Sequence, residues 1–212
     1  MTIECVTLST NDLFLGNPLA DQHRLRHKSI IERQGWDVPS YSEMEYDQYD
    51  NPAATYLIWR DNNLKARGVT RLYPTDRPFM LKESLPWFIN EEIPEGTAVL
   101  EGSRFCIDHT LDAQTRKQIA NELVLAYLEY GLDNEISHII GLMYPVYWKS
   151  LFYQNNWKPH WLGSPQKTTE GHTARAGYVV VSEENLRMVR NTTKINYRVI
   201  NYGNKYELKK SI

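Results

Sequence analysis

Between residues 97 and 144 the chain runs strand, helix, strand, and that succession limits the fold more than any other feature. Residues 97–107, TAVLEGSRFCI, read as a long strand, with Gly102 inside it as a candidate bulge. Residues 113–132 read as a helix: Asp112 stands at the N-cap, and Ile119, Leu123, Tyr127 and Leu128 form an apolar stripe at helical spacing. ISHIIGLMY, 136–144, is then a buried strand, and VYWKSLFYQNNW, 146–157, an aromatic amphipathic helix. GYVVV at 177–181 adds a strand, a helix follows near 183–190, and a last strand is expected near 195–201.

The first half has a different rhythm. Residues 3–8 read as a strand and residues 19–33 as a helix with Leu19, Leu25 and Ile30 on one face. Residues 54–60 and 65–73 are strands joined by the turn Asp61-Asn62-Asn63, a hairpin. Between helix and hairpin lies a loop-like stretch, 34–53, carrying the acidic run EMEYDQYD. A short helix is expected near 80–85, among Pro74, Pro78 and Pro86. An antiparallel first half and an alternating second half point to one α/β domain over residues 1–212, a three-layer α/β/α sandwich with a mixed central sheet.

Composition removes several classes of function. Lys plus Arg total 24 against 26 Asp plus Glu, a net charge of −2, which gives no support to bulk polyanion binding. Two cysteines, Cys5 and Cys106, cannot build a disulfide framework or a cysteine-rich zinc site. No apolar run approaches the roughly 20 residues of a membrane span. The opening MTIECVTLSTNDLF has neither a basic nor an apolar region of the secretory kind, so a cytoplasmic location is expected. HExxH, GxSxG, Walker A and GxGxxG patterns are all missing. His138, in an apolar strand, reads as a satisfied core histidine, and Cys106 as a buried structural thiol.

What remains is charge in three clusters. The first is Arg26 with Trp36; the second is Glu45, Asp47 and Asp50; the third is Arg71 with Glu101 and Arg104. Taken singly, each residue reads as solvated surface. Alternation along the long strand puts Glu101 and Ser103 on one face and Arg104 on the other, unless Gly102 shifts the register.

At these clusters the sequence resembles the acyl-homoserine-lactone synthases, the autoinducer synthases of bacterial quorum sensing. The resemblance is carried in order by Arg26 and Gly35-Trp36, by Glu45-Tyr46-Asp47-Gln48-Tyr49-Asp50, by Gly68 with Arg71-Leu72-Tyr73-Pro74-Thr75, and by Glu101-Gly102-Ser103-Arg104-Phe105. GLMYPVYWKSLFYQNNW and Leu162-Gly163 extend it more loosely. Three positions depart from the family pattern. Ile30 stands for an aromatic residue, Leu85 before Pro86 for a phenylalanine, and Gly102 for a leucine.

The resemblance implies a fold related to the N-acetyltransferases and a two-substrate reaction, with no tightly bound cofactor and no metal. S-adenosylmethionine supplies the amine, and an acyl thioester on acyl carrier protein or coenzyme A supplies the acyl group. The amine attacks the thioester; the methionyl carboxylate then displaces 5′-methylthioadenosine, closing the lactone. Such chemistry wants carboxylates and an aromatic face near the sulfonium, an arginine fork for the carboxylate, and a base for the amine. On that footing Asp47 and Asp50 hold the amine or sulfonium end, and Arg26, Arg71 and Arg104 form a charge network. Glu101 is the base, directly or through water. Trp36, Arg26, Asp47, Ser103, Arg104 and Phe105 make the adenosylmethionine site. Met143, Val146, Trp148, Leu151 and Phe152 are acyl-pocket candidates, each equally readable as core.

Residues 106–118 hold no glycine and two aspartates in the turn before the long helix, a poor cradle for a pyrophosphate. Arg116, Lys117, Lys149 and Lys158 are available to an acidic carrier protein but read equally as solvated surface. No nucleic-acid partner and no membrane span are expected, and the chain reads as a monomer or weak dimer. Two other readings stay open: a different N-acyltransferase of the same fold, and a degenerate small-molecule-binding module.

Overall fold

The computed structural model describes residues 2–203. In chain order its elements are β1 (Ile3–Val6), α1 (Pro18–Arg26, continued by a π-helical turn His27–Glu32), β2 (Ser40–Tyr41), β3 (Met44–Glu45), β4 (Thr55–Arg60) and β5 (Ala66–Pro74). Then come α2 (Met80–Ser84), β6 (Val99–Ile107), α3 (Ala113–Asp133), β7 (His138–Met143) and α4 (Pro145–Tyr147). β8 (His160–Trp161), β9 (Gln166–Lys167), β10 (Thr173–Val180), α5 (Glu183–Thr193) and β11 (Ile200–Asn201) complete the order. The fold is mixed α/β, and its strand pairings are of both kinds, as expected. None of the described helices is long and apolar enough to cross a membrane.

The residues fall into two compact units. The first takes residues up to Leu72, Arg104–Ala126 and the described residues from Arg198 on. There β1 pairs antiparallel with β4 (Ile3 opposite Trp59) and parallel with β11 (Ile3 opposite Ile200). β4 and β5 form the expected hairpin, with Leu57 opposite Thr70. α3 packs on this sheet at closest approach over Gly68, where a Cβ would stand 2.4 Å from the Ile119 side chain. Its start is fixed as the sequence predicts: the Asp112 carboxylate accepts the Thr115 N–H (2.9 Å) and hydroxyl (2.6 Å). α1 begins on Asn17, which accepts the Ala20 N–H at 3.1 Å, with Pro18 in the first turn. The π turn that continues it is closed off at Gly35, whose φ of +69° suits glycine; Gly35 and Trp36 donate to the carbonyls of Ile31 and Ile30.

The second unit spans Tyr73–Ser103 and Tyr127–Tyr197. β6 runs parallel to β7 (Glu101 opposite Ile140), and β7 antiparallel to β10 (Gly141 opposite Gly177). α5 starts on Ser182, which accepts the Asn185 N–H, and ends at left-handed Lys194.

One expectation is corrected here, the unbroken helix at 146–157, and β6 carries a feature of its own: the backbone of Arg104 is left-handed, with φ of +54°. Gly102 is a packing residue, because a Cβ there would lie 2.7 Å from the Tyr127 hydroxyl oxygen and 3.1 Å from Ile139 Cγ2. The aromatic helix at 146–157 is instead a single α turn, a π turn at Trp148–Phe152 and a 3₁₀ turn at Tyr153–Asn155. That path buries Trp148, Leu151, Phe152 and Trp157 together, which an unbroken helix with positions i, i+3, i+4 and i+9 would splay.

Gly102→Ala is expected to lower stability by about 1–3 kcal/mol through overpacking. Tyr127→Phe in that background, by removing the clashing oxygen, should restore part of the loss in a thermal melt.

Candidate functional site

Arg26 is the last residue of α1 and is wholly buried. A guanidinium in that position needs anionic partners, and the acidic loop supplies them. Its Nη1 and Nη2 donate to the two oxygens of Asp50 at 2.7 and 2.8 Å, and its Nε and Nη2 pair with Glu45. Glu45, also wholly buried, accepts from Arg104 Nε (3.0 Å) and Nη2 (2.9 Å) at its other oxygen. Arg104 Nη2 reaches Asp47 Oδ2 at 2.7 Å. Asp47 takes a two-pronged bond from Arg71 (2.6 and 2.8 Å), and Arg71 lies 3.0 Å from Asp50 Oδ1. Three guanidinium groups and three carboxylates thus close a ring of opposite charges.

Short elements hold the ring. The hairpin of β2 and β3 (Ser40 opposite Glu45) presents Glu45. The turn after it is stitched by Asp50 accepting the Asp47 N–H and Asp47 accepting the Tyr49 N–H, each at 2.8 Å. Arg71 comes from β5, its guanidinium lying 5.8 Å from the centre of the Tyr49 ring. Arg104 comes from β6, turned by its left-handed backbone.

Asp47 and Asp50 stay ionised. Burial pushes Asp50 up, but the hydrogen bonds and charge of Arg26, the charge of Arg71 and the Tyr56 hydroxyl (2.7 Å) hold it far below the usual carboxylate range. Asp47 is likewise held down, against burial, by Arg71 and Arg104. Burial and then the Asp50 charge raise the Tyr56 hydroxyl. Exposure divides the ring: Arg26, Glu45 and Arg71 side chains are 0% exposed and Asp50 3%, whereas Asp47 is 14% and Arg104 12% exposed. Asp47 and Arg104 are the members a dissolved molecule can touch.

Of the residues singled out from sequence, Arg26, Asp47, Asp50, Arg71 and Arg104 are brought together. Trp36 stands half-buried just past the glycine that closes off the π turn after α1, and Phe105 is half-buried on β6. Glu101 and Ser103 belong to the second unit, where both are buried. The Glu101 carboxylate accepts the backbone N–H of Met80 (3.1 Å) and Leu81 (2.7 Å) at the start of α2. Ile30 is buried in the π turn, and Leu85 is half-buried at the end of α2.

In the second unit a cleft of about 390 Å³ is lined by Pro145, Trp148, Lys149, Tyr153, Trp161, Pro165 and Arg175. Trp148 is the acyl-pocket candidate found on its wall. Leu151 and Phe152 are buried, Met143 half-buried, and Val146 62% exposed. Cys106 is buried, and burial pushes its thiol up to about 11, as befits a structural thiol. His138 is half-buried and bonded to the Ser137 hydroxyl at 2.8 Å.

Sequence reading left three members of the site without a role. Glu45 is the hub joining Arg26 to Arg104. Tyr56 braces Asp50. His23 lies one turn before Arg26, and its Nδ1 bonds the Glu45 carbonyl at 2.8 Å. Burial, then neighbouring Arg26, lower its pKa to about 4. Nothing in the sequence marks His23, because its bond to a backbone carbonyl depends on the tertiary fold.

Arg26→Met leaves Glu45 and Asp50 buried without their counter-charge and should cost about 3–5 kcal/mol, read by denaturant unfolding. Arg104→Met, at the wetter edge, should cost less stability. Acid sensitivity has a predictable sign. His23 is neutral when folded, so the unfolded chain binds its proton first, and stability should fall as pH drops from about 6.5 towards His23's folded value. Asp47 and Asp50, with depressed folded pKa values, add a further loss only below about pH 4. His23→Asn should shrink the upper part of that slope, to which His138, lowered by burial and then by His160, also contributes, and leave the lower part, in melts taken across the range.

The autoinducer synthase family model matches residues 11–189. Two acyl-homoserine-lactone synthases of Pseudomonas aeruginosa are similar. One is 31% identical over 126 residues, 58% of this chain and 63% of that protein, so the match spans somewhat under two thirds of that relative. The other is 26% identical over 174 residues, 81% of this chain and 84% of the relative. Among solved structures, the coenzyme-A-dependent acyl-homoserine lactone synthase BjaI, determined with SAM and isopentyl-CoA, superposes with a TM-score of 0.83. That likeness covers 96% of this chain and 94% of BjaI at 22% identity, and it speaks for the fold. The ring of arginines and carboxylates lies within the matched span, and the chain belongs to the autoinducer synthase family.

Proposed function

We propose that this chain is an acyltransferase that makes an N-acyl-L-homoserine lactone, the signal molecule of quorum sensing. Its substrates are S-adenosylmethionine and an acyl thioester carried on acyl carrier protein or coenzyme A, and it works in the cytoplasm, where both are made. The observation that carries the reading is the charge ring, with one carboxylate and one guanidinium, Asp47 and Arg104, at its wetter edge. Adenosylmethionine carries a carboxylate, an amine and a sulfonium on one short chain, so it asks for both signs of charge side by side. BjaI, of the same fold and described as a coenzyme-A-dependent acyl-homoserine lactone synthase, has a structure with SAM and isopentyl-CoA, which supports this pair of substrate classes.

The amine nitrogen attacks the thioester carbonyl, the carbon–sulfur bond of the thioester breaks, and the thiol leaves. Glu101, directly or through water, takes the amine proton and hands it on to the departing thiolate. A methionyl carboxylate oxygen then attacks the γ-carbon, and the carbon–sulfonium bond breaks. 5′-Methylthioadenosine leaves neutral and the lactone ring is closed. Arg104, with Arg71 and Arg26 behind it, orients the carboxylate; Asp47, backed by Asp50, holds the cationic end. Trp36, Ser103 and Phe105 complete the adenosylmethionine site, Trp36 offering an aromatic face worth about 0.5–2 kcal/mol to a cation. Met143, Val146, Trp148, Leu151 and Phe152 are proposed for the acyl group, of which Trp148 already faces an apolar cleft.

Bacteria expressing the chain should accumulate an N-acyl-homoserine lactone detectable by mass spectrometry, which would also identify the acyl group. Asp47→Asn should lower its yield on the order of a hundredfold. Soluble, folded protein that makes no lactone from adenosylmethionine with a panel of carrier-protein and coenzyme A thioesters would overturn the reading.

A further inference from the structure

His23 is buried at 6% exposure on the face of α1 that also carries Arg26. Its Nδ1 lies 2.8 Å from the Glu45 carbonyl oxygen, so Nδ1 carries the proton and donates. The imidazole lies against the Tyr46 ring, 4.0 Å between centres at 32°, and meets Tyr56 edge-on at 6.0 Å. Tyr56 in turn donates to Asp50. His23 therefore touches the backbone of the hub residue Glu45, the side chain of the next residue, and the tyrosine that braces Asp50.

Glu45 sets where Arg104 lies, because one of its oxygens accepts both Nε and Nη2 of that guanidinium. A displacement of the Glu45 backbone is passed along a short carboxylate side chain to the fork at the wet edge of the ring. We infer that His23 is a positioning residue for the adenosylmethionine site, acting through the Glu45 carbonyl on the orientation of Arg104. This rests on the lactone-synthase reading. A neutral imidazole suits this role, since a positive charge there would lie beside Arg26, and the low pKa keeps that charge absent at neutral pH.

The test is steady-state kinetics of His23→Leu and His23→Asn, alone and combined with Arg104→Lys, with a thermal melt of each. His23→Leu deletes the donor; His23→Asn keeps an N–H donor close to the position of Nδ1. His23→Leu should raise KM for adenosylmethionine about three- to tenfold, the fold-change of one net hydrogen bond, without raising KM for the thioester. His23→Asn should recover most of that loss. In the Arg104→Lys background the effect of His23→Leu should shrink, because both changes act on the same fork.

Four outcomes would overturn the inference. They are an unchanged KM for adenosylmethionine in a folded His23→Leu protein, an equal rise for both substrates, a folded His23→Asn protein no better than His23→Leu, and full additivity with Arg104→Lys. If His23→Leu does not fold, His23→Phe, which keeps the ring and deletes the donor, takes its place in every comparison. Wild-type protein that makes no lactone would overturn the functional reading and this inference with it.

Discussion

The buried guanidinium of Arg26 organises the site. It closes α1, where sequence alone gives it no apolar partner, and water does not reach it. Its charge is tolerable there only because Glu45 and Asp50 meet it with well-aligned bonds. Those two residues lie on a segment, 34–53, with little regular structure beyond a two-residue hairpin. Ion pairing replaces the missing apolar packing and fixes the loop in space. Arg71 and Arg104 then have a defined surface of carboxylate oxygen to bind.

A ring of three positive and three negative groups is an inefficient way to gain stability. Desolvating each ion costs several kcal/mol, and an apolar cluster of the same volume often does as well or better. What the ring provides is a set of charges whose directions are set before any ligand arrives, in a place where water screens them little. Reorganisation is thereby done during folding. The inner pairs, Arg26 with Glu45 and Asp50, are the anchor; the outer pair, Asp47 with Arg104, is where the prepared field reaches solvent.

Much of this was legible in the residues, and the exceptions have physical causes. α3 was legible because Asp112 and the Ile119–Leu123–Tyr127 stripe obey rules that act within one helix. The β4–β5 hairpin was legible from alternation and its turn. The two π turns were not, since π and α helices share the same local preferences and differ by where side chains must reach in the tertiary structure. β8 and β9, two residues each, are too short to show a period. The left-handed backbone of Arg104 was not legible, because glycine is the usual left-handed residue and the two carboxylates that hold this side chain come from a distant loop. Glu45 was seen only as one member of an acidic run, and His23 not at all, because a histidine bonded to a carbonyl leaves no pattern in sequence.

The start of α3 bears on how the proposed acyl donor can be recognised. A glycine-rich turn before a helix offers free N–H groups to a pyrophosphate. Here the Thr110 N–H is taken by Asp108 at 3.0 Å and the Thr115 N–H by Asp112 at 2.9 Å. Asp108 is held below the usual range, against burial, by Thr110 and Arg67, so it remains an anion. An approaching phosphate would meet two carboxylates and no vacancy at either donor. The proposed acyl donor's carrier therefore has to draw its binding energy from other surfaces, because the backbone donors of this turn are already taken by this chain's own carboxylates.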